Sequence, residues 1–359
     1  MNTYSKEHTM FFLGQLLHPK ISADSLYNYF PVREKFWNSL VQIGSEHLVL
    51  PAIYGALRRK KLEPHTPRDL WSYLEKISDL NHNRNSEILK QITSLSVIFN
   101  KHQIEHVFLK GAAMLVAKHY DALVERMLGD IDILVAESDI LKAQKILLNY
   151  GYIDQSKIEK RLRPVNVASS NRRHLSRMNH PDYIASVELH SRILDKNKYH
   201  YLSSKEVLKA RKQTTEGFWI PSLNHLWQNA ILNWQYNDKG YQFNWLMLRT
   251  VVDVLYLEPK NINAIVNKQP KVIQHFYSMM SFFYSEYTAH DSKHKAFFIK
   301  HIRRNSAIQK MRIFNTKLRL LSAKIFDRSF LFFKSKEYRR NIFRDPKLLI
   351  RQIVKSWRL

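Results

Sequence analysis

Two carboxylates one residue apart, Asp130 and Asp132, lie within the run Leu128-Gly129-Asp130-Ile131-Asp132-Ile133-Leu134-Val135. In a strand successive side chains point to opposite faces, so the two acids share one face and Ile131 and Ile133 the other. Crowded carboxylates are unfavourable unless a cation neutralises them, and a hard divalent ion such as Mg²⁺ is the natural counter-charge. Upstream, Val107-Phe108-Leu109-Lys110-Gly111-Ala112-Ala113 passes from strand-like apolar residues into Lys-Gly and then a helix-like segment. A glycine at such a turn lets backbone N–H groups approach a phosphate at the positive end of the helix. Carboxylates for a metal and a cradle for phosphate point to nucleotide chemistry.

A third acid, Glu188, stands in Ser186-Val187-Glu188-Leu189-His190. By alternation alone it reads as an edge-strand glutamate on a solvated face. The order of the motifs carries more than any one of them. Leu109-Lys110-Gly111-Ala112-Ala113, Arg126, Gly129 to Val135, Gly151-Tyr152 and Val187-Glu188-Leu189-His190 together resemble the DNA polymerase β-like nucleotidyltransferase superfamily. Within it they are similar to a bacterial group described as uncharacterised nucleotidyltransferases. The chain departs from that pattern at Ser191, where tryptophan is usual, at Asn233, where the group tends to have histidine, and at Ala112, where the superfamily has serine or glycine.

The resemblance implies a metal-dependent enzyme that moves a nucleoside monophosphate from an NTP to an acceptor hydroxyl and releases pyrophosphate. Asp130, Asp132 and Glu188 are then the catalytic acids holding Mg²⁺ or Mn²⁺. Lys110, Gly111, Ala112, Arg126 and Gly129 form the nucleotide-binding set. His174, His190, Arg249 and Asp253 are expected around the acids or on the acceptor side. Arg249 and Asp253, four residues apart on a helix-like stripe, are expected to form an intrahelical salt bridge. The alternative is a catalytically inactive adaptor of the same fold that binds RNA or an anionic membrane through a basic tail.

Composition sets the outer bounds. The chain has 359 residues, no cysteine, 45% hydrophobic and 25% charged residues, which describes a folded protein without disulfides or a thiolate zinc site. No Walker-type phosphate loop, Gly-x-Gly-x-x-Gly or Gly-x-Ser-x-Gly is present, so P-loop, dinucleotide and serine-hydrolase chemistry lack local support. His102-Gln103-Ile104-Glu105-His106 fits His-x-x-Glu-His, but the strand-like residues that follow argue against the continuous helix a zinc peptidase needs. The N-terminus lacks a signal-peptide pattern and no apolar run reaches the ~18 residues needed to span a bilayer. The expected location is cytoplasmic, with the tail allowing peripheral contact with the inner face of the membrane.

Periodicity predicts an α+β protein in which a small mixed sheet is embedded in helix, and the resemblance implies that this sheet is a polymerase β-like core. Residues 1–105 read as a helical region, 106–200 as the nucleotidyltransferase core, 201–290 as a second helical region and 291–359 as a basic helical region. The sheet is expected to contain 107–110, 130–135 and 186–190, with Pro181-Asp182 turning between extended segments that begin at Arg172 and end at His190. Net charge is +26, and residues 301–359 hold 17 Lys and Arg against 3 acids. Such a tail suits attraction to RNA or to an anionic membrane surface.

Overall fold

The computed structural model describes residues 5–27, 29, 34–155, 173–287, 292–303 and 307–347. Arg172 of the expected extended segment, and residues 304–306 and 348–359 of the basic tail, lie outside these. Five strands form one sheet: β1 (His106–Phe108), β2 (Asp130–Val135), β3 (Ile153–Asp154), β4 (Met178–Asn179) and β5 (Ser186–His190), in the order β1-β2-β5-β4-β3. β2 and β5 run parallel, while the other neighbours are antiparallel. The protein is therefore α+β, with a small mixed sheet in a mostly helical chain, as its periodicity predicts.

Parallel strands flanked on both sides bury both faces. Ile131, Ile133, Val187 and Leu189 are fully buried, and Asp132 and Glu188 are buried beside them. The first strand is shorter than expected. It ends at Phe108, and Lys110 opens the helix Lys110–Ala117 rather than closing the strand. Lys110 adopts φ +52°, a left-handed conformation that costs a non-glycine residue about 1–2 kcal/mol and turns the chain out of the sheet. Leu109 N–H still donates to Asp132 O at 2.9 Å.

A 34-residue helix, Arg68–Lys101, holds the approaches to both acid-bearing strands. Its apolar face supplies Ile88, Ile92, Leu95 and Phe99 to the core. Along the same side, Asn81 Nδ2 donates to Val124 O at 2.7 Å, and Asn85 Nδ2 to Leu123 O at 2.9 Å and Arg126 O at 2.8 Å. These carbonyls end the short helix Ala122–Glu125, where intrahelical donors run out. Arg84 Nε reaches Leu128 O at 3.3 Å, just before β2. Gln91 exchanges two hydrogen bonds with the Ala185 backbone, just before β5. The helix begins after Pro67, with no side-chain cap from Thr66 or Asp69. Thr66 Oγ1 donates instead to Leu62 O at 2.9 Å.

One hydrophobic core runs from Met10 to Ile302 and joins the chain's early and late helices to the sheet. Gly14 allows a close contact between them: a Cβ there would overlap the Phe283 ring, and Tyr284 Oη donates to the Gly14 carbonyl at 2.9 Å. A hairpin of β6 (Lys212–Gln213) and β7 (Trp219–Ile220) turns at Gly217, φ +89°, and sits beside β1 through a Phe108–Phe218 ring contact. Sequence periodicity gives no sign of it.

The Asn85 clasp yields a test. Asn85→Ala strands buried carbonyls and should destabilise the protein by about 1–3 kcal/mol, read as a lower urea midpoint with an unchanged slope. A midpoint within error of the parent would mean that the clasp adds nothing.

Candidate functional site

The register of β2 and β5 sets Asp132 directly opposite Glu188 and Asp130 opposite Ser186. His190, two residues beyond Glu188, shares its face of the strand. Ligand atoms of Asp132, Glu188 and His190 all lie within 4.8 Å of one another, and all three residues are buried, so the group could hold a metal ion. This differs in one member from the expected Asp130, Asp132 and Glu188. Asp130 lies at the strand's start, partly exposed, and Arg177 links it to the others: Nη2 donates to Asp130 Oδ2 at 3.0 Å and Nε to Glu188 Oε1 at 2.7 Å. One guanidinium thus spans Asp130 and Glu188.

Three cationic or hydrogen-bonding groups offset the crowding. Lys110 Nζ donates to Asp132 Oδ1 at 2.7 Å, and His190 Nε2 lies 2.7 Å from the same oxygen. Burial alone would raise the Asp132 carboxyl, but Lys110 and the His190 hydrogen bond outweigh it and hold the group well below the usual carboxylate range. Glu188 is likewise opposed by burial yet drawn down to about 2 by hydrogen bonds from His190 and Arg177. Asp130 shifts the other way, raised by burial and by the negative charges of Asp132 and Glu188. His174 joins His190 through an isolated bridge with ring centroids 5.0 Å apart, and its Nδ1 lies 2.7 Å from Leu175 O. Burial and the neighbouring His190 lower its pKa to about 4. The donor chemistry, two buried carboxylates and a buried imidazole, fits a divalent cation.

Beside this group lies the Lys110–Ala117 helix, whose cap Leu109 offers no side-chain bond to the first-turn N–H groups. A Cβ at Gly111 would come within 3.1 Å of Leu128 Cγ and 3.6 Å of Arg126 Cζ, so glycine fits this close approach. Ala112 is buried, leaving only its backbone for any ligand. Gly129 faces open space, with nothing within 4 Å of where its Cβ would stand.

The expected Arg249–Asp253 bridge is replaced by a pairing across the fold. Asp253 accepts from Arg126 Nε at 2.9 Å and Nη2 at 2.9 Å, and from Tyr120 Oη at 2.8 Å. Arg126 Nη1 donates to Met127 O at 2.7 Å, so each of its three guanidinium nitrogens has an acceptor. Both partners are buried, and a bidentate pair in that setting outweighs a local helical one. Arg249 keeps a single bond, Nη1 to Met127 O at 3.3 Å, and its buried Nε has no partner. Burial and the adjacent Arg126 lower its pKa to about 10.

Three residues near the acids were not foreseen. Arg177 precedes β4 in a loop, where no periodicity marks it. Arg173 hands its carbonyl to Ser191 and Arg192 N–H groups, and its buried Nη1 has no partner. Asp238, whose Oδ2 accepts from Asn233 Nδ2 at 3.0 Å, has Lys110, Arg173, Arg249 and Asp132 as charged neighbours. At the other tempting motif the helix stops at Lys101, and His106 lies in β1 with Nδ1 at 2.9 Å from Ile104 O.

The fold and this acidic group define a nucleotidyltransferase-like core. The profile of a family described as "Uncharacterised nucleotidyltransferase" matches residues 33–254, and the chain belongs to that family. The matched span runs through all five strands of the sheet and reaches Asp253. Comparison with curated proteins and with solved structures gave no match. Among the described residues no helix is long and apolar enough to cross a membrane.

The exchanged pairing makes a contrast in stability. Asp253→Asn leaves the Arg126 charge buried and unpaired and should cost about 3–5 kcal/mol, whereas Arg249→Met removes no ion pair and should cost under ~1 kcal/mol. Denaturant melts of the two variants would refute the pairing if the order were reversed.

Proposed function

We propose that the protein catalyses divalent-metal-dependent transfer of a nucleoside monophosphate from an NTP to an acceptor hydroxyl. The reading rests on one observation above all, the buried Asp132–Glu188–His190 group at the centre of the sheet of a nucleotidyltransferase family member. In the reaction the acceptor oxygen bonds to the α-phosphorus, the bond from that phosphorus to the oxygen bridging to the β-phosphate breaks, and pyrophosphate leaves.

Asp130, Asp132 and Glu188 are the metal-holding acids in this reading, with Mg²⁺ or Mn²⁺ suited to their oxygens. Bound there, the ions would supply charge stabilisation at the α-phosphate and a lowered pKa for the attacking hydroxyl. His190 orients the Asp132 carboxylate through its hydrogen bond, as partners behind a metal ligand commonly do. Arg177 is half-exposed and so is able to release Asp130 and Glu188 when a stronger counter-charge arrives. Asp130, partly exposed at the start of the strand, is the best placed of the three acids to meet the acceptor's proton.

The triphosphate lies across the first turn of the Lys110–Ala117 helix, where the Gly111 and Ala112 N–H groups face it and Gly129 leaves room. Its counter-charge comes from Lys110 and Arg249. Arg126, expected in that role, acts instead by fixing Asp253 and the Met127 carbonyl that both arginines share. Arg249 is the guanidinium with donors to spare, and phosphate is the ligand that suits them.

The test combines stability with turnover. Saturating Mg²⁺ or Mn²⁺ at ~100 times its Kd should stabilise the parent by about 2.7 kcal/mol, and Asp132→Asn should weaken metal affinity by at least ~100-fold while abolishing label transfer from α-labelled NTP to cell extract. Arg249→Gln should raise KM for the NTP about tenfold with the metal-induced stabilisation intact, because it removes a contact to substrate and not to metal. Full transfer activity in Asp132→Asn would end the proposal.

A further inference from the structure

The helix Ala307–Lys334 carries two apolar faces, and the protein covers only one. Ile313 and Thr316 turn inward, where they line a cavity of about 180 Å³ with Phe243, Asn244 and Phe297. Leu331 is buried against Tyr338 of the returning helix Lys336–Arg344. On the other side Met311, Phe314, Leu318 and Ile325 are all about half exposed. At ~100° per residue their spacing of three, four and seven places them in one arc. Phe326, Phe330 and Phe333 continue that arc, with Phe326 and Phe333 exposed to 76% and 79%.

The turn between the helices is built, not frayed. Ser335 Oγ accepts from Tyr338 N at 3.1 Å, and Arg339 Nη1 donates to Phe332 O at 2.7 Å and Phe333 O at 2.9 Å, capping the end of the long helix. Phe343 on the return helix, 74% exposed, then lies with its ring centroid 6.1 Å from that of Phe332. Exposed basic side chains lie beside the apolar arc (Lys310, Lys334, Lys336, Arg340 and Arg344) and, at Arg319, within it. Lys334 Nζ lies 4.6 Å above the Phe330 ring, so its stem runs along the apolar surface and its charge stays at the edge.

We infer that this helical hairpin is a docking surface for an anionic lipid bilayer, lying in the interface with its aromatic arc among the acyl chains and its Lys and Arg among the headgroups. Residues 307–344 hold eleven Lys and Arg against two acids. That excess disfavours a second copy of the same face, because association would bring like charges together. Single-stranded RNA would use the aromatic rings but gives no reason to expose Met311, Leu318 and Ile325 beside them. A bilayer accepts aliphatic and aromatic bulk alike and rewards the basic border when its headgroups are anionic. The inference does not depend on the reading of the acidic site.

Full-length protein is sedimented with vesicles of phosphatidylcholine alone and of phosphatidylcholine with phosphatidylglycerol, at low and high salt. Retention on the anionic vesicles and not on the neutral ones is expected. Replacing Phe326, Phe330 and Phe333 together by serine should lower partition at least about tenfold, with the melting temperature unchanged since these rings face solvent. A second variant, Lys310→Glu with Arg344→Glu, should reduce retention without substituting any apolar residue and guards against a folding defect in the first. Equal sedimentation of the parent with and without anionic vesicles overturns the inference. So does parent-like partition of the serine variant, or a dimer or RNA complex that this variant abolishes while vesicles fail to bind.

Discussion

Parallel pairing of two acid-bearing strands is the constraint around which the molecule is arranged. With Asp132 across from Glu188 and Asp130 two residues before, the centre of the sheet concentrates negative charge where burial weakens screening by water. Like charges at that spacing destabilise a fold unless other groups answer them. The answers come from three separate places: Lys110 from the first turn of a helix, His190 from the end of β5, and Arg177 from the approach to β4. Each of these elements, held by sheet pairing and core packing, brings its cation or donor to the acids. The strained Lys110 backbone belongs to the same arrangement, since the turn it makes ends with Nζ on Asp132.

A second buried charge pair ties the helical region to the sheet. Arg126 stands just before β2 and Asp253 on the Leu248–Leu257 helix, and their bidentate contact closes a loop of more than a hundred residues. Tyr120 adds a third bond to the same carboxylate. Such a network is costly to break because each deletion leaves a charge buried alone. Its side effect is chemical. By taking Asp253, Arg126 leaves Arg249 without a direct carboxylate partner, and burial, together with the neighbouring guanidinium, lowers the Arg249 pKa. A buried cation that has carboxylates nearby but makes no ion pair of its own among the described residues is expected where a ligand supplies the contact.

The sheet and its acids were legible because strand geometry has a period of two, and that period fixes which residues share a face. It identified the shared face of Asp130 and Asp132 and set His190 beside Glu188, a signal that the expected metal set left unused; for Glu188, however, alternation alone gave a solvated edge-strand face, whereas β5 is the central strand and buries it. Local rules failed where partners came from afar. The four-residue spacing of Arg249 and Asp253 describes a real helical face, but a partner more than a hundred residues away satisfied Asp253 better. Arg177 and Asp238 stand in loops, where spacing carries no information about direction. The β6–β7 hairpin has two residues per strand, too few for alternation to register, and the end of β1 at Phe108 reflects the backbone turn at Lys110 rather than any change in hydrophobicity.

The net charge of +26 bears differently on the two surfaces that have been proposed. At physiological ionic strength, exposed charges are screened beyond about 8 Å. Retention of an NTP therefore depends on the cations that touch it, and the overall charge enters only as a steering field that raises the encounter rate. A site lined by three acids would repel a triphosphate if those cations were absent, which makes Lys110 and Arg249 disproportionate to their number. The hairpin from 307 to 344 works by the opposite logic. No single residue there is decisive, because a bilayer presents many headgroups at once and each Lys or Arg near the surface contributes about 1 kcal/mol. The acidic site is thus sensitive to single substitutions and the hairpin to the sum of them.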